Sequence, residues 1–182
     1  AAVVDQTNFS TTKWNGVDWG NPVDDALTVT VGGNYDFQVV KLYAGAQYFD
    51  NADLNSIDNI FSKDFALSPA QTERFQVKGY GLTIGADIPA AGGTFKVATS
   101  YLDGTIDKVN GWDMATAIGA TFGEIDISRW NTSAGYLYSL SKRTSLYGVA
   151  SYSYQTVKGQ KDFNGYSLDV APTVIEVAAG IV

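Results

Sequence analysis

The feature that most constrains this chain is a two-residue alternation, sustained over runs of about ten residues. In ALTVTVGGNYDF (26–37), Leu27, Val29, Val31, Gly33, Tyr35 and Phe37 share one face, and Thr28, Thr30, Gly32 and Asn34 the other. In QVVKLYAGAQYF (38–49), Val40, Leu42, Ala44, Ala46 and Tyr48 oppose Val39, Lys41, Tyr43, Gly45 and Gln47. QVKGYGLTIGADI (76–88) sets Tyr80, Leu82, Ile84, Ala86 and Ile88 against Gly81, Thr83, Gly85 and Asp87. TFKVATSY (94–101) sets Phe95, Val97, Thr99 and Tyr101 against Lys96, Ala98 and Ser100. Further runs carry Ala134, Tyr136, Tyr138 and Leu140, then Leu146, Gly148, Ala150, Tyr152 and Tyr154. In 173–182, Ile175, Val177, Ala179 and Ile181 oppose Glu176. Successive side chains of a strand point to opposite faces, so each run predicts a strand whose two sides meet different surroundings.

The connections are sorted by length. Short turns are expected near 36–38, 89–93 and 141–143; long polar segments occupy 50–74, 105–130 and 157–172. Short turns on one edge and long loops on the other are the habit of outer-membrane β-barrels. Residues 112–122 also alternate, but one more full crossing would put the Ser141, Lys142, Arg143 turn on the wrong edge. They are therefore expected in an extended loop, as a hairpin standing above the membrane. Residues 1–24 are expected to be extracellular loop or strand end of the same single domain, 1–182.

Which solvent each face meets follows from what it carries. One face has Val, Leu, Ile, Ala and aromatics with almost no charge; the other is rich in Gly, Thr, Ser and Asn and thinly charged. A soluble sandwich would load its wet face with Lys and Glu. About ten residues per run match the 9–11 needed for a tilted strand to cross a bilayer. Tyr35, Tyr48, Tyr101, Tyr136, Tyr152 and Tyr154 suit an interfacial girdle, with the ring buried and the hydroxyl wet. Lys142 and Arg143 then sit at the rim, beyond the hydrocarbon, although an ordinary solvated turn would look the same.

On this phase Lys41, Lys96, Asp87 and Glu176 point into a lumen, with Thr28, Thr30, Asn34, Gln47 and Ser100 as a neutral hydrogen-bonding wall. The bland alternative is that each charge pairs with a neighbour and packs the wall. Other chemistry is thin. The chain has no His and no Cys, which removes disulfides, thiol nucleophiles and His-based triads. Twelve basic against 19 acidic residues argue against a nucleic-acid partner. GYGLTIG (79–85) resembles a phosphate loop only in glycine spacing, since no helix follows it. The strings at 8–10 and 131–133 fit the glycosylation pattern by chance. Asp103, Asp107, Asp113 and Glu124 match no calcium loop and are expected as solvated acidic surface. Lys63 and Arg74 fall in a long loop, where simple solvation competes with contact to lipopolysaccharide. No catalytic residue, metal site or cofactor is indicated.

LSKRTSLYGVASY (140–152), GGNYDFQVVKLYAGAQY (32–48), GLTIGADIPAAGGTFKVATSY (81–101) and the closing VAAGIV (177–182) resemble segments of the Gram-negative general porins. The resemblance covers about residues 25–182. It implies an all-β, antiparallel transmembrane barrel of sixteen strands in the outer membrane of a Gram-negative bacterium. It also implies a homotrimer among outer-membrane lipid and lipopolysaccharide, passing ions and small hydrophilic solutes. Seven alternating runs are then the C-terminal strands of a chain about twice this length, because single-chain bacterial barrels use even numbers. The constriction loop of that family belongs to the half not found here. An outer-membrane barrel enzyme and a soluble carbohydrate-binding β-sandwich remain as other readings.

Overall fold

The computed structural model describes residues 1–8, 13–14, 17–18, 25–53, 75–109, 112–113, 124–159 and 169–182. Its elements are β1 (Ala2–Thr7), β2 (Lys13–Trp14), β3 (Val17–Asp18), β4 (Ala26–Asp36), β5 (Lys41–Asp53) and β6 (Phe75–Ala90). They continue as β7 (Gly93–Val109), β8 (Trp112–Asp113), β9 (Ile125–Ser139), β10 (Ser145–Gly159), β11 (Asp169–Val170) and β12 (Thr173–Ile181). Ten of them form one antiparallel sheet in the order β1-β4-β5-β6-β7-β9-β10-β12, with β8 added to β7 and β11 to β10. Among the described residues β2 and β3 pair with each other and not with the large sheet. Every long strand neighbours the next long strand in sequence; tight turns enforce this for β4–β5, β6–β7 and β9–β10.

The turns are compact. Residues 37–40 close β4 onto β5: the Phe37 N–H donates to the Val40 carbonyl at 2.9 Å, and the Gln38 N–H to an Asp36 carboxylate oxygen at 2.7 Å. Gln38 takes a φ of 72° to do so. Residues 91–92 close β6 onto β7, with φ of 49° at Ala91 and 79° at Gly92. That left-handed pair matches the twist of the flanking strands. In 140–144, the Leu140 and Ser141 N–H groups both donate to the Thr144 carbonyl. All three turns lie at one end of the sheet. The long connections 8–25, 54–74, 110–124 and 160–172 leave from the other.

Three expectations need correction. β1 is an eighth strand of six residues, pairing from Ala2 opposite Val31 to Thr7 opposite Ala26. Its AVVDQT lacks alternation because adjacent Val3 and Val4 break the period. Gln38, Val39 and Val40 belong to the first turn, not to a strand. The strands also run well past the expected boundaries. β6 and β7 have 16 and 17 residues; of the residues expected as loop, 125–129 pair with β7 from Ile106 opposite Ile125 to Leu102 opposite Arg129, and Lys108 and Val109 pair with Gln76 and Phe75. Of the alternating stretch 112–122, Trp112 and Asp113 fold back on Val109 and Lys108. Residues 114–122 lie outside the described residues, as do Lys63 and Arg74.

Buried apolar residues gather at the long-connection end: Phe49, Ala52, Val77, Ile106, Ile127 and Val157. Two glycines let this cluster close. A Cβ on Gly79 would stand 2.1 Å from the Asp103 carbonyl oxygen and 2.6 Å from Gly104 Cα. A Cβ on Gly104 would meet Val77 at 3.0 Å and Phe49 at 3.5 Å. Overpacking there forces β6 and β7 apart, so Gly79→Val should cost at least about 2 kcal/mol. The folded, heat-shifted band on a semi-native gel should disappear at a lower temperature than in the parent.

Candidate functional site

Residues directly opposite in an antiparallel ladder share a face, so one phase fixes every other. In one row across the sheet Asp36 faces Lys41, Lys41 faces Asp87, Asp87 faces Lys96, and Lys96 faces Gly135. The next row runs through Asn34, Tyr43, Gly85, Ala98, Ser133, Ser151 and Glu176. Ser100, Asn131 and Ser153 follow, then Thr30, Gln47, Gly81, Leu102, Arg129 and Gln155. Thr28 faces Phe49 beyond them. All nine residues singled out from the sequence therefore lie on one face, here called the polar face.

The structure brings three of the nine together. Lys96 Nζ donates to Asp87 Oδ2 at 2.6 Å, and the Tyr43 hydroxyl donates to the same oxygen at 3.0 Å. Lys41 Nζ lies 5.3 Å from the centre of the Tyr43 ring, a cation–π distance. The Lys96 side chain is half exposed, so the pair contributes no more than about 1 kcal/mol to stability. Its importance is the charge it fixes on this face. Glu176 stands apart, three strands from Lys96, with the Ser151 hydroxyl donating to it across a long 3.5 Å. Thr28, Thr30, Asn34, Gln47 and Ser100 are spread over the wall. Asn131, part of the glycosylation-like string, donates to Ser153 Oγ at 2.6 Å within this face.

Sequence reasoning missed Tyr43 as a partner of Asp87, and missed Arg129 because residues 105–130 were expected as loop. It also passed over Leu137, Tyr147 and Val149, apolar residues in the polar phase. The signal was present: Leu137 and Tyr147 face each other, as do Gly135 and Val149, once the turn at 140–144 is counted outward.

The opposite face is apolar and open. Ile84, Ile175 and Val177 are 60%, 72% and 77% exposed. A continuous apolar sheet face of this extent is untenable in water. Aromatics frame it at two levels. Toward the short turns stand Tyr35, Phe37, Phe95, Tyr136 and Tyr138, with Tyr35 and Phe37 edge to face at 4.5 Å. Toward the long connections stand Tyr48, Tyr80, Tyr101, Trp130 and Tyr154. Tyr101 lies 6.5 Å from Tyr80 and 6.1 Å from Trp130. Two of these polar tips are bonded within the sheet: the Tyr101 hydroxyl donates to Asp103 at 2.9 Å and Trp130 Nε1 to Thr132 at 2.8 Å. The Tyr136 hydroxyl reaches the Ala90 and Ala91 carbonyls. From Tyr80 to Ile88 is about 27 Å of strand, or about 20 Å of height at a tilt near 40°. That approaches the ~25 Å apolar band of a membrane barrel.

Beyond the second aromatic level the chemistry of the two faces inverts. The outward phase now carries Asp50, Lys78, Thr105, Asp126, Ser128, Thr156 and Lys158. Lys78 pairs with Asp50 at 3.6 Å, Thr105 donates to Asp126 at 3.2 Å, and Ser128 and Thr156 share a 2.6 Å hydrogen bond. On the inward phase sit buried Phe49, Val77, Ile106, Ile127 and Val157. The same strands are apolar-out within the framed band and polar-out above it. The change of chemistry falls at the level of Tyr80, Tyr101 and Trp130.

Among the described residues no helix is long and apolar enough to cross a membrane. A family model described as Gram-negative porin matches residues 1–160. No curated protein and no solved structure matches the chain.

Proposed function

The chain belongs to the Gram-negative porin family, and we propose on that premise that its polar face lines a water-filled outer-membrane channel for passive diffusion of ions and small hydrophilic solutes. One observation carries this reading: the inversion of face chemistry at an aromatic belt, which marks where strands leave lipid. Within the band, small and neutral side chains leave the polar face room for water. The Lys41, Asp87, Lys96 row adds a fixed charge pattern near the short-turn end, which is the periplasmic rim in a barrel of this kind.

β1 and β12 each have a single partner, so the described sheet has two open edges. Lipid does not accept unpaired strand edges. Further strands therefore close the wall, the eight long strands of the described residues standing in a barrel of about sixteen, and three such barrels associate as a homotrimer. Apolar side chains of the framed band meet acyl chains, and the polar outward band above meets the lipopolysaccharide headgroups. No step of this function calls for catalysis or a cofactor.

Reconstitution of the full porin in a planar bilayer tests the reading. Stable ohmic current steps are expected. A barrel enzyme with a filled lumen would give no lasting open current, and a soluble carbohydrate-binding protein would extract without detergent.

A further inference from the structure

The polar face carries a concavity of about 450 Å³ beside the charged row. Its floor is Gly85, Ala98 and Gly135, which raise almost no side chain. Asp87 and Lys96 stand at one flank with Tyr43; Leu137, Tyr147 and Val149 form the other. We propose that this niche is a subsite for amphipathic monoanions: small carboxylates with a compact aromatic or branched apolar body. The proposal deepens the channel reading and rests on it.

Three features select that ligand class. Asp87 already accepts hydrogen bonds from Lys96 and Tyr43, while Asp36 engages the Gln38 amide of the turn. Lys96 is the one ammonium group bonded to the Asp87 carboxylate, and it has N–H donors to spare for a second anion. The apolar flank is out of place on a purely aqueous wall. Tyr147 is held flat against β12, since a Cβ on its partner Gly180 would stand 2.8 Å from the ring. An apolar body seated there leaves water, while its carboxylate stays with Lys96. Glu176, about 14 Å away across three strands, repels a carboxylate turned the other way. The volume lies within the usual range for small-molecule sites.

The test uses the full porin in planar bilayers with chloride as the carrier ion. Benzoate, cyclohexanecarboxylate, acetate and neutral benzyl alcohol are added in turn. Benzoate and cyclohexanecarboxylate should reduce the chloride current with half-effects at about tenfold lower concentration than acetate, the gain expected from burying part of the apolar body. Benzyl alcohol should have little effect. Ala98→Leu, which fills the niche, and Val149→Thr, which keeps the shape but wets the flank, should each bring the benzoate response, read as a fraction of that variant's own chloride current, down to that of acetate. Equal responses to benzoate and acetate in the parent overturn the niche and leave the channel standing. So does a benzoate response that both variants retain. Absence of any current overturns both.

Discussion

Ile84→Arg is expected to abolish assembly of the wall, whereas Thr83→Arg, one residue away, is expected to assemble and alter the current. Ile84 lies between the aromatic levels, 60% exposed on the apolar face, with Ala44 and Thr99 opposite. None of these offers a counter-charge, and no water reaches mid-bilayer. An arginine on the lipid face of a barrel costs about 2–4 kcal/mol near the midplane, a large fraction of ordinary folding stability. Thr83 points the other way, between Gly45 and Ser100, where small neighbours leave room for a long side chain in water. The yield of folded, heat-shifted protein in membranes separates the two variants. Current through the Thr83→Arg protein should show lower conductance and a shift toward anions. Equal loss from both substitutions would mean that the faces do not differ in the way described.

The second large effect concerns the charged row. Replacing Lys41 and Lys96 together by glutamate turns one excess positive charge among Lys41, Asp87 and Lys96 into three negative ones. A unit charge about 4 Å from a passing ion in water-like surroundings is worth about 1 kcal/mol, which is roughly fivefold in local ion concentration. The double variant should shift the reversal potential in a salt gradient toward cations, with the permeability ratio changing by at least about fivefold. Asp87→Asn should move it in the opposite direction, since Lys96 and Lys41 then act without a carboxylate. Both shifts should shrink at 1 M salt, where screening extends only about 3 Å, against about 10 Å at 0.1 M. A row that only packs the wall would leave the reversal potential where it was, and fold stability would carry the whole effect.

The legible part of the fold was the phase. A period of two together with ladder register means that one correct inward residue fixes all others, so Lys41, Asp87, Ser100 and Glu176 fell on a common face without any knowledge of packing. Part of the site was countable as well. The tight turn after Ala90 places Asp87 opposite Lys96 by simple mirror numbering. Lys41 and Tyr43 reach Asp87 across a long connection whose length sets no register, and no local pattern reveals that pairing. Strand length was hidden for a different reason. Above the belt the alternation persists with its chemistry reversed, as in Val77 against Lys78 and Ile127 against Asp126. A rule that equates apolar with lipid therefore stops at the boundary and takes the remaining strand for loop. Arg129 was lost in that way. β1 escaped because a short strand with two adjacent valines has no period to detect.

Cysteine scanning along 80–88 tests the two-faced wall most directly, and the chain has no native Cys to confuse it. With the full porin in lipid vesicles, a charged, membrane-impermeant thiol reagent should modify Cys at 81, 83, 85 and 87. A probe confined to the acyl region should modify Cys at 80, 82, 84, 86 and 88. Reaction of the aqueous reagent at 82, 84 and 86 with protection at 83 and 85 would contradict the account, as would uniform labelling along the strand.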